Sequence, residues 1–532
     1  MPKAKTPSFI SELPLQVNPQ QHKVLTKRFN AARMLYNACL CECLKRANKL
    51  KDSDIYKQAK KMPPKVTVKG KQKTNQERKD LFKQAREEVG FNEYSLHGFS
   101  KIIRANSHFS DHVDAFTEQK IMTRAYQATN KYVMRSDGKG RPRYKGINQL
   151  DSVEGKSNGA GIRFINGKVI WSKLKVEPVF DTKDKHDVQA WALGCKTKYV
   201  RLVRREIKGE YRYFVQLIQE GKALIKEKNK IGNGIVGLDL GPSLIAGVSD
   251  KEALIEEFCS GINTIHKTVK KVQRKIERSR RITNPDNYEP DFIKINSNGK
   301  KIKKKGKVKK GAKNFVKSGR YLKEKVALTE ANRKLSAYRK TLQGQLVNRV
   351  LMMGNDIRLE KINYRAWQRL FGKSVGHHAP GMFVSLLKRK AESAGGSVTE
   401  VPVLHRLSQT CICGSVEKKS RNMRWHSCKK CNAYAQRDLF SAFLVRFADV
   451  KRLNISQAQK AWVAQESVLG RAMFKLKEIA IGRKLPSCFG LKEMDVQRLS
   501  GLHDKTESNH FEALQLFSSR TKFVKREMVY CQ

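Results

Sequence analysis

Acidic residues are scarce in this chain. Its 532 residues include 49 Asp and Glu against 109 Lys and Arg, which gives a formal net charge of +60. A compact protein holds so much charge of one sign more easily when a polyanion neutralises it, and nucleic acid is the usual one. Charge alone also fits a ribosomal-type structural protein or a membrane-surface binder. The composition therefore favours a nucleic-acid partner without defining the activity.

Long apolar runs are also missing. No stretch of about 18 uninterrupted apolar residues occurs, which argues against a membrane-spanning helix. Residues 1–14 contain no apolar segment of the kind that secretory signals have. We therefore expect a cytoplasmic, nucleoid-associated prokaryotic protein without a membrane partner.

Eleven cysteines are too irregularly spaced for a disulfide framework. Four of them form two close pairs, Cys411 with Cys413 and Cys428 with Cys431. Two such pairs predict one structural Zn²⁺ ion with four thiolate ligands. His426 could replace a ligand, but we interpret it as a neighbour. The basic residues around the pairs suit a phosphate backbone, although a ribbon that only holds the fold is the alternative.

Three carboxylates stand at the ends of apolar segments. Asp239 lies near the end of the strand predicted over 234–240, Glu360 ends the strand 357–360, and Asp438 begins the helix 438–445. Each has an ordinary explanation when taken alone: a turn residue, a solvent-exposed partner of Lys361, and a helix N-terminal residue. Their order along alternating strands and helices is that of an RNase H-like fold. We therefore predict that they converge and hold two Mg²⁺ ions about 4 Å apart.

Basic segments outside this predicted core suggest where nucleic acid binds. We expect a basic turn at 138–143 and a flexible Lys/Gly-rich loop on phosphate at 299–325. Amphipathic helix is predicted over 22–49, and short strands over 130–222. The residues predicted to contact nucleic acid are Lys301, Lys304, Lys305, Lys309, Lys310, Arg141, Arg143, Arg424 and Arg437.

The combination of motifs resembles a known family. The strings Gly237-Leu238-Asp239-Leu240-Gly241, Arg358-Leu359-Glu360, Ser408 through Cys431 and Gln436-Arg437-Asp438-Leu439 are similar to those of the transposon-encoded TnpB nucleases and the compact type V CRISPR effectors. The resemblance covers about 20–450. The first cysteine pair departs from the family pattern, because it is C-x-C.

The resemblance implies a multidomain α+β architecture with a helical recognition lobe, a small wedge-like β-barrel and a RuvC-like nuclease domain with an inserted zinc ribbon. The implied boundaries are 1–20, which joins the wedge; 21–125, the recognition lobe; 126–228, the wedge; 229–405, the first part of the nuclease with the insertion 299–325; 406–435, the ribbon; 436–450, the last nuclease helix; and 451–532, an extension without an assigned role.

The function that the resemblance implies is RNA-guided DNA cleavage by two-metal hydrolysis. Asp239, Glu360 and Asp438 would be catalytic, and the partners would be a guide RNA and double-stranded target DNA with an adjacent motif. Whether the protein is a monomer or a dimer stays open. The alternatives are an RNA-guided DNA-binding protein that does not cut, an unguided RuvC-like structure-selective nuclease and a basic structural RNA-binding protein.

Overall fold

The computed structural model describes residues 6–68, 71–134, 140–297, 299–312, 314–420, 422–482, 485–494 and 499. The chain divides into two compact units, Met1–Leu224 and Ile225–Gln532. Both contain helices and sheets, so the protein is a multidomain α+β protein. Within the described residues, no helix combines the length and the apolar composition needed to cross a bilayer.

The longest helix of the first unit begins at a capping box. The Asn18 side chain accepts a hydrogen bond from the Gln21 amide, and the Gln21 side chain accepts one from the Asn18 amide. Pro19 occupies the first helical position, where its missing N–H costs nothing. The helices of this unit are α1 (Pro19–Asp52), α2 (Asp54–Lys61), α3 (Gln76–Glu88), α4 (Glu93–Ala105), α5 (Ala115–Val133) and α6 (Val188–Gly194).

A seven-stranded antiparallel sheet forms the rest of the first unit, in the order β4-β8-β9-β1-β7-β6-β5. The strands between residues 152 and 220 confirm the short strands predicted over 130–222. Strand β1 was not predicted, because polar and apolar residues mix along it and only Leu13 is buried. The strands are β1 (Ser8–Gln16), β4 (Ser152–Glu154), β5 (Ile162–Ile165), β6 (Lys168–Trp171), β7 (Leu174–Pro178), β8 (Thr197–Ile207) and β9 (Glu210–Glu220), with a separate hairpin of β2 (Lys65–Val68) and β3 (Lys71–Thr74).

A five-stranded mixed sheet lies at the centre of the second unit, in the order β12-β11-β10-β15-β16. Its first three strands along the chain are antiparallel; β15 pairs with β10 in parallel, and β16 pairs with β15 in parallel. The strands are β10 (Ile235–Leu240), β11 (Leu244–Val248), β12 (Ala253–Glu257), β15 (Asp356–Glu360) and β16 (Ser397–Val401). The predicted strands over 234–240 and 357–360 are confirmed to within one residue at each end.

The helices of this unit are α7 (Ile262–Thr283), α8 (Gly319–Met353), α9 (Tyr364–His378), α10 (Pro380–Ala394), α11 (Arg437–Val445) and α12 (Ile455–Gly482). Helices α8 and α10 pack on one face of the sheet, and α11 packs on the other. Val236 and Leu238 of β10 pack in one core with α8 and α10. Because successive strand residues point to opposite faces, Gly237 and Asp239 face α11. The face of β10 toward α8 and α10 is therefore aliphatic, and its face toward α11 carries the Asp239 carboxylate.

Helix α11 contacts the sheet at a glycine. A Cβ atom on Gly237 would overlap the carbonyl oxygen of Ala442 and come within 3.0 Å of the Arg446 amide. Any side chain at this position would push the helix outward. The bare backbone of β10 therefore lets α11 lie directly on the strand.

Two segments differ from the sequence prediction, and a third lies partly outside the described residues. The Lys/Gly-rich run 299–325 is not one flexible loop, because β14 (Lys301–Lys304) pairs with β13 (Phe292–Ile295) and α8 already begins at Gly319. Helix α9 was not predicted; it contains two glycines and is kinked at Phe371. Of the predicted basic turn 138–143, residues 138 and 139 lie outside the described residues.

The extension after residue 450 also has a structural role. Helix α12 buries Trp462 and Met473 in one core with Phe440 and Phe443 of α11. Residues 500–532 of this extension lie outside the described residues.

Replacing Gly237 by Ala is expected to destabilise the second unit by about 1–3 kcal/mol, because the new methyl group overpacks the contact with α11. The thermal unfolding midpoint measures the effect. Gly376→Ala is the matched control, since no heavy atom lies within 4 Å of a Cβ built there. In a helix this control should be neutral or stabilising by up to about 1 kcal/mol. Equal midpoints for wild type and G237A would contradict the tight contact.

Candidate active site and cysteine cluster

The three predicted catalytic carboxylates lie on one face of the central sheet. Asp239 and Glu360 are on neighbouring parallel strands, whose register pairs Leu238 with Leu359 immediately before them. Arg358 shares the face of Glu360 and donates hydrogen bonds to the carbonyls of Arg446 (2.8 Å) and Ala448 (3.2 Å), which follow α11. That face is therefore the one that α11 covers.

Asp438 enters this site from the first turn of α11. Gln436 caps the helix, because its side-chain oxygen accepts from the amides of Asp438 (2.7 Å) and Leu439 (2.9 Å). Asp438 is only 8% exposed. Its carboxylate lies 3.3 Å from the Arg437 guanidinium and 4.0 Å from that of Arg424. A buried acid is thus held by a helix cap and two cations.

The three acidic side chains lie close enough for their negative charges to repel one another. Burial, and then the charges of Asp438 and Glu360, raise the pKa of Asp239 well above its usual value, against the opposing effects of Arg437 and Ser441. Burial also raises the pKa of Glu360. Buried carboxylates that repel each other are stabilised by a cation, and their oxygen atoms are the donors that Mg²⁺ prefers. The donor set therefore fits a divalent cation.

The four predicted cysteines come together in a compact group. The Sγ atoms of Cys411, Cys413, Cys428 and Cys431 all lie within 4.8 Å of one another. Each pair sits on a tight turn: the Gly414 amide donates to the Cys411 carbonyl (3.0 Å), and the Asn432 amide donates to the Cys428 carbonyl (2.9 Å). Such a group can bind a zinc ion, as a zinc ribbon does. The short C-x-C pair does not prevent the four thiols from meeting.

The environment of the four thiols is mixed, because burial raises the pKa of Cys411 and Cys431 whereas hydrogen bonds lower that of Cys413 and Cys428. Burial opposes the ionisation of Cys428, but hydrogen bonds from backbone amides and neighbouring side chains together lower the Cys428 pKa to about 6. A thiol with that pKa is largely thiolate at neutral pH, which is the form that binds metal. His426 lies beside this group, with Nε2 3.3 Å from the Cys411 Sγ. Burial and the charge of Lys419 lower the His426 pKa to about 3, so its imidazole is neutral.

The cysteine cluster continues directly into the helix that carries Asp438. Strands β17 (Trp425–Ser427) and β18 (Tyr434–Gln436) form a hairpin, and α11 starts at the next residue. The Trp425 and Tyr434 rings stack at 4.8 Å across the hairpin, and His426 stacks on Phe440 of α11 at 3.8 Å. The hairpin and the helix therefore pack as one element.

The residues predicted to contact nucleic acid fall into two groups. The exposed group comprises Lys301, Lys304, Lys305, Lys309, Lys310, Arg141 and Arg143. Arg424 and Arg437 form the second group, since both are partly buried and approach Asp438. Arg437 also donates to the Met423 carbonyl at 2.8 Å. The structure thus gives these two arginines an internal partner that the sequence pattern did not indicate.

Sequence reasoning missed some of the residues that shape the site. Ser441 is buried and lies one helical turn after Asp438. From there its hydroxyl opposes the rise in the pKa of Asp239. The spacing of three residues between Asp438 and Ser441 could have indicated it, because such residues share a helix face. His405, which opposes the raised pKa of Glu360, gave no comparable signal.

A comparison with protein families identifies the segment that contains these features. Residues 381–445 match the Cas12f1-like TNB domain. The match contains the four cysteines, Asp438 and all of α11. It confirms the resemblance to the compact type V CRISPR effector and TnpB nucleases.

Solved structures resemble the chain more distantly. The Cas12f1–sgRNA–target DNA complex, solved by cryo-EM, is 11% identical over 82% of this chain and 98% of that chain, with a TM-score of 0.42. The mini-RNA-guided endonuclease CRISPR-Cas_phi3 is 11% identical over 85% and 92%, with a TM-score of 0.29. These values are too low to transfer a function. No curated protein matches the chain.

We expect the purified protein to contain about one zinc ion per chain, and Cys428→Ser to lose it. Removing a thiolate ligand should also lower the unfolding midpoint, because metal binding contributes to folding. Elemental analysis and thermal unfolding measure both effects. Cys41→Ser is the control, since Cys41 is exposed and outside the cluster. Full zinc content in C428S would argue against the four-thiolate site.

Without divalent cations, Asp239→Asn should raise the unfolding midpoint at neutral pH. The folded-state pKa of Asp239 is raised, so the favourable protonated form exists at low pH and is lost as pH rises through that pKa. The amide removes this destabilising charge, and we expect a gain of roughly 2–4 °C. Added Mg²⁺ should stabilise the wild type more than D239N. Equal stabilisation of both proteins would place the cation elsewhere.

Proposed function

We propose that this chain is an RNA-guided DNA endonuclease of the TnpB and compact type V effector kind. The observation that carries the proposal is the meeting of Asp239, Glu360 and Asp438 on the face of the sheet that α11 covers. The Cas12f1-like TNB domain, which contains Asp438, supports it. The net charge of +60 suits a protein that holds both RNA and DNA.

In this proposal, residues 229–405 and 436–450 form a RuvC-like domain of the RNase H class. Three antiparallel strands followed by two parallel ones, with the first strand in the centre, support this assignment. Residues 406–435 are an inserted zinc ribbon. Residues 21–125 form the recognition lobe and 126–228 the wedge, which residues 1–20 join. Pairing of β1 with β7 and β9 supports the assignment of residues 1–20 to the wedge.

The chain's own residues have separable tasks in phosphodiester hydrolysis. Asp239, Glu360 and Asp438 would hold Mg²⁺, which when bound supplies Lewis-acid activation of water and stabilises the leaving oxygen. Arg424 and Arg437 pair with the carboxylate of Asp438 in its buried position. Ser441, on the same face of α11 as Asp438, favours the ionised form of Asp239 because its hydroxyl opposes the rise in the Asp239 pKa. The cap by Gln436 keeps the first turn of α11, and with it Asp438, in place.

Asp239→Asn, Glu360→Gln and Asp438→Asn should each reduce cleavage by about 100-fold or more and leave nucleic-acid binding intact, because each removes a metal ligand but no basic surface. Cleavage of labelled DNA in Mg²⁺ and binding in its absence measure the two effects. Glu392→Gln, which changes an exposed carboxylate of α10, is the control and should retain full activity.

The outcomes separate the alternatives. Unchanged cleavage by any one variant removes that residue from the site. If the wild type binds DNA through an RNA but never cuts it, the protein is an RNA-guided binding protein. If it cuts branched DNA without RNA, it is an unguided nuclease.

A further inference from the structure

The Lys-rich insertion forms a defined arm that the proposed cleavage chemistry does not use. Helices α7 and α8 pack along each other, and their shared core includes Ile262, Val269 and Leu335. Lys275 pairs with Glu324 at 3.2 Å across the two helices. The 22 residues of α7 extend about 33 Å. We call α7 and α8 the stalk, and residues 288–308 at its end the arm.

The base of the arm is tightly hydrogen bonded. The Glu289 amide donates to the Lys307 carbonyl (2.8 Å), and Arg281 of α7 donates to the Gly306 carbonyl (2.9 Å). A Cβ on Gly306 would overlap the Glu289 carbonyl, so only glycine fits there. The Arg281 guanidinium also lies 4.2 Å above the Tyr288 ring. The arm therefore leaves the stalk in a fixed direction.

The hairpin at the end of the arm has no buried face. All four residues of β13 are exposed, including Ile293 (67%) and Ile295 (61%). The cross-strand pairs are Phe292 with Lys304, Ile293 with Lys303, Lys294 with Ile302, and Ile295 with Lys301. Each face thus presents two apolar and two basic side chains. A two-stranded hairpin alone in water is marginally stable, so this one needs a partner.

Charge defines the chemistry of that partner. The arm, residues 288–308, has seven lysines and two acidic residues, Glu289 and Asp291, and both acids lie before the hairpin. Such a segment neutralises phosphates and releases their counterions. Apolar side chains between the lysines suit contact with base edges, such as the thymine methyl group.

Shape then selects the type of nucleic acid. The major groove of B-form DNA is about 12 Å wide and admits a two-stranded β-ribbon. The major groove of A-form RNA is too narrow and deep for side chains to read. We propose that the arm binds duplex DNA by inserting the β13–β14 hairpin into its major groove. This deepens the proposed function and rests on it, because it adds a duplex-binding site that does not involve the carboxylates.

The test compares the full-length wild type with two variants, in buffer without divalent metal. In the first, a short Gly-Ser turn replaces residues 292–304 and leaves the Glu289–Lys307 pairing in place. The second, Lys301→Gln with Lys303→Gln and Lys304→Gln, keeps the hairpin and covers the case in which trimming disturbs folding. The matched control removes the same charge from exposed stalk positions: Lys323→Gln, Lys325→Gln and Lys334→Gln.

The probes are a labelled DNA duplex of about two helical turns and an RNA duplex of the same sequence. Trimming should weaken DNA binding by about tenfold or more and reduce the slope of log affinity against log salt by about two, with RNA binding changed less than about twofold. The triple arm variant should lose less DNA affinity than the trimmed variant. The stalk control should lose less DNA affinity than the triple arm variant. Equal losses for RNA and DNA, equal effects of arm and stalk variants, or no loss would each overturn the proposal.

Failure of the two proposals can be told apart. If trimming weakens DNA binding but the wild type never cleaves in Mg²⁺, the arm assignment stands and the nuclease assignment falls. If cleavage occurs and trimming leaves DNA binding unchanged, the nuclease assignment stands and the arm assignment falls.

Discussion

The close approach of one helix to one strand organises the candidate active site. Because Gly237 has no side chain, α11 lies directly against β10, and Asp438 enters beside Asp239. Glu360 arrives from the neighbouring parallel strand. The same approach brings buried carboxylates together at a cost to stability, which is seen in the raised pKa of Asp239. A divalent cation held by these carboxylates, as we propose, would offset that cost.

The cysteine cluster acts on this site through covalent continuity. Six residues lie between Cys431 and Asp438, and β18 supplies three of them. Stacking of His426 on Phe440, and the core shared with α12, connect the hairpin to the helix on two sides. The hairpin, whose loop holds Cys428 and Cys431, therefore sets the start of α11, and with it the position of the third carboxylate.

Much of the second unit could be predicted from the sequence, because its buried strands are continuous apolar runs and Asp239 interrupts one of them. The hairpin β13–β14 could not, since its alternating lysines are not a typical strand composition and its stability depends on contacts at its base. Strand β1 could not be predicted either, because it depends on partner strands that lie about 160 to 210 residues away in the chain. The pairing of Arg424 and Arg437 with Asp438 also depends on tertiary structure, and the same residues looked like surface cations in the sequence.

The guided nature of the reaction is the central claim, and the RNA that accompanies the protein tests it most directly. The protein would be expressed with its native flanking DNA and purified, and the RNA protected from nuclease would be sequenced. The account predicts one discrete species with a constant scaffold and a variable end, and cleavage in Mg²⁺ of DNA that matches this end. A random mixture of cellular RNAs, with no dependence of cleavage on RNA sequence, would contradict it.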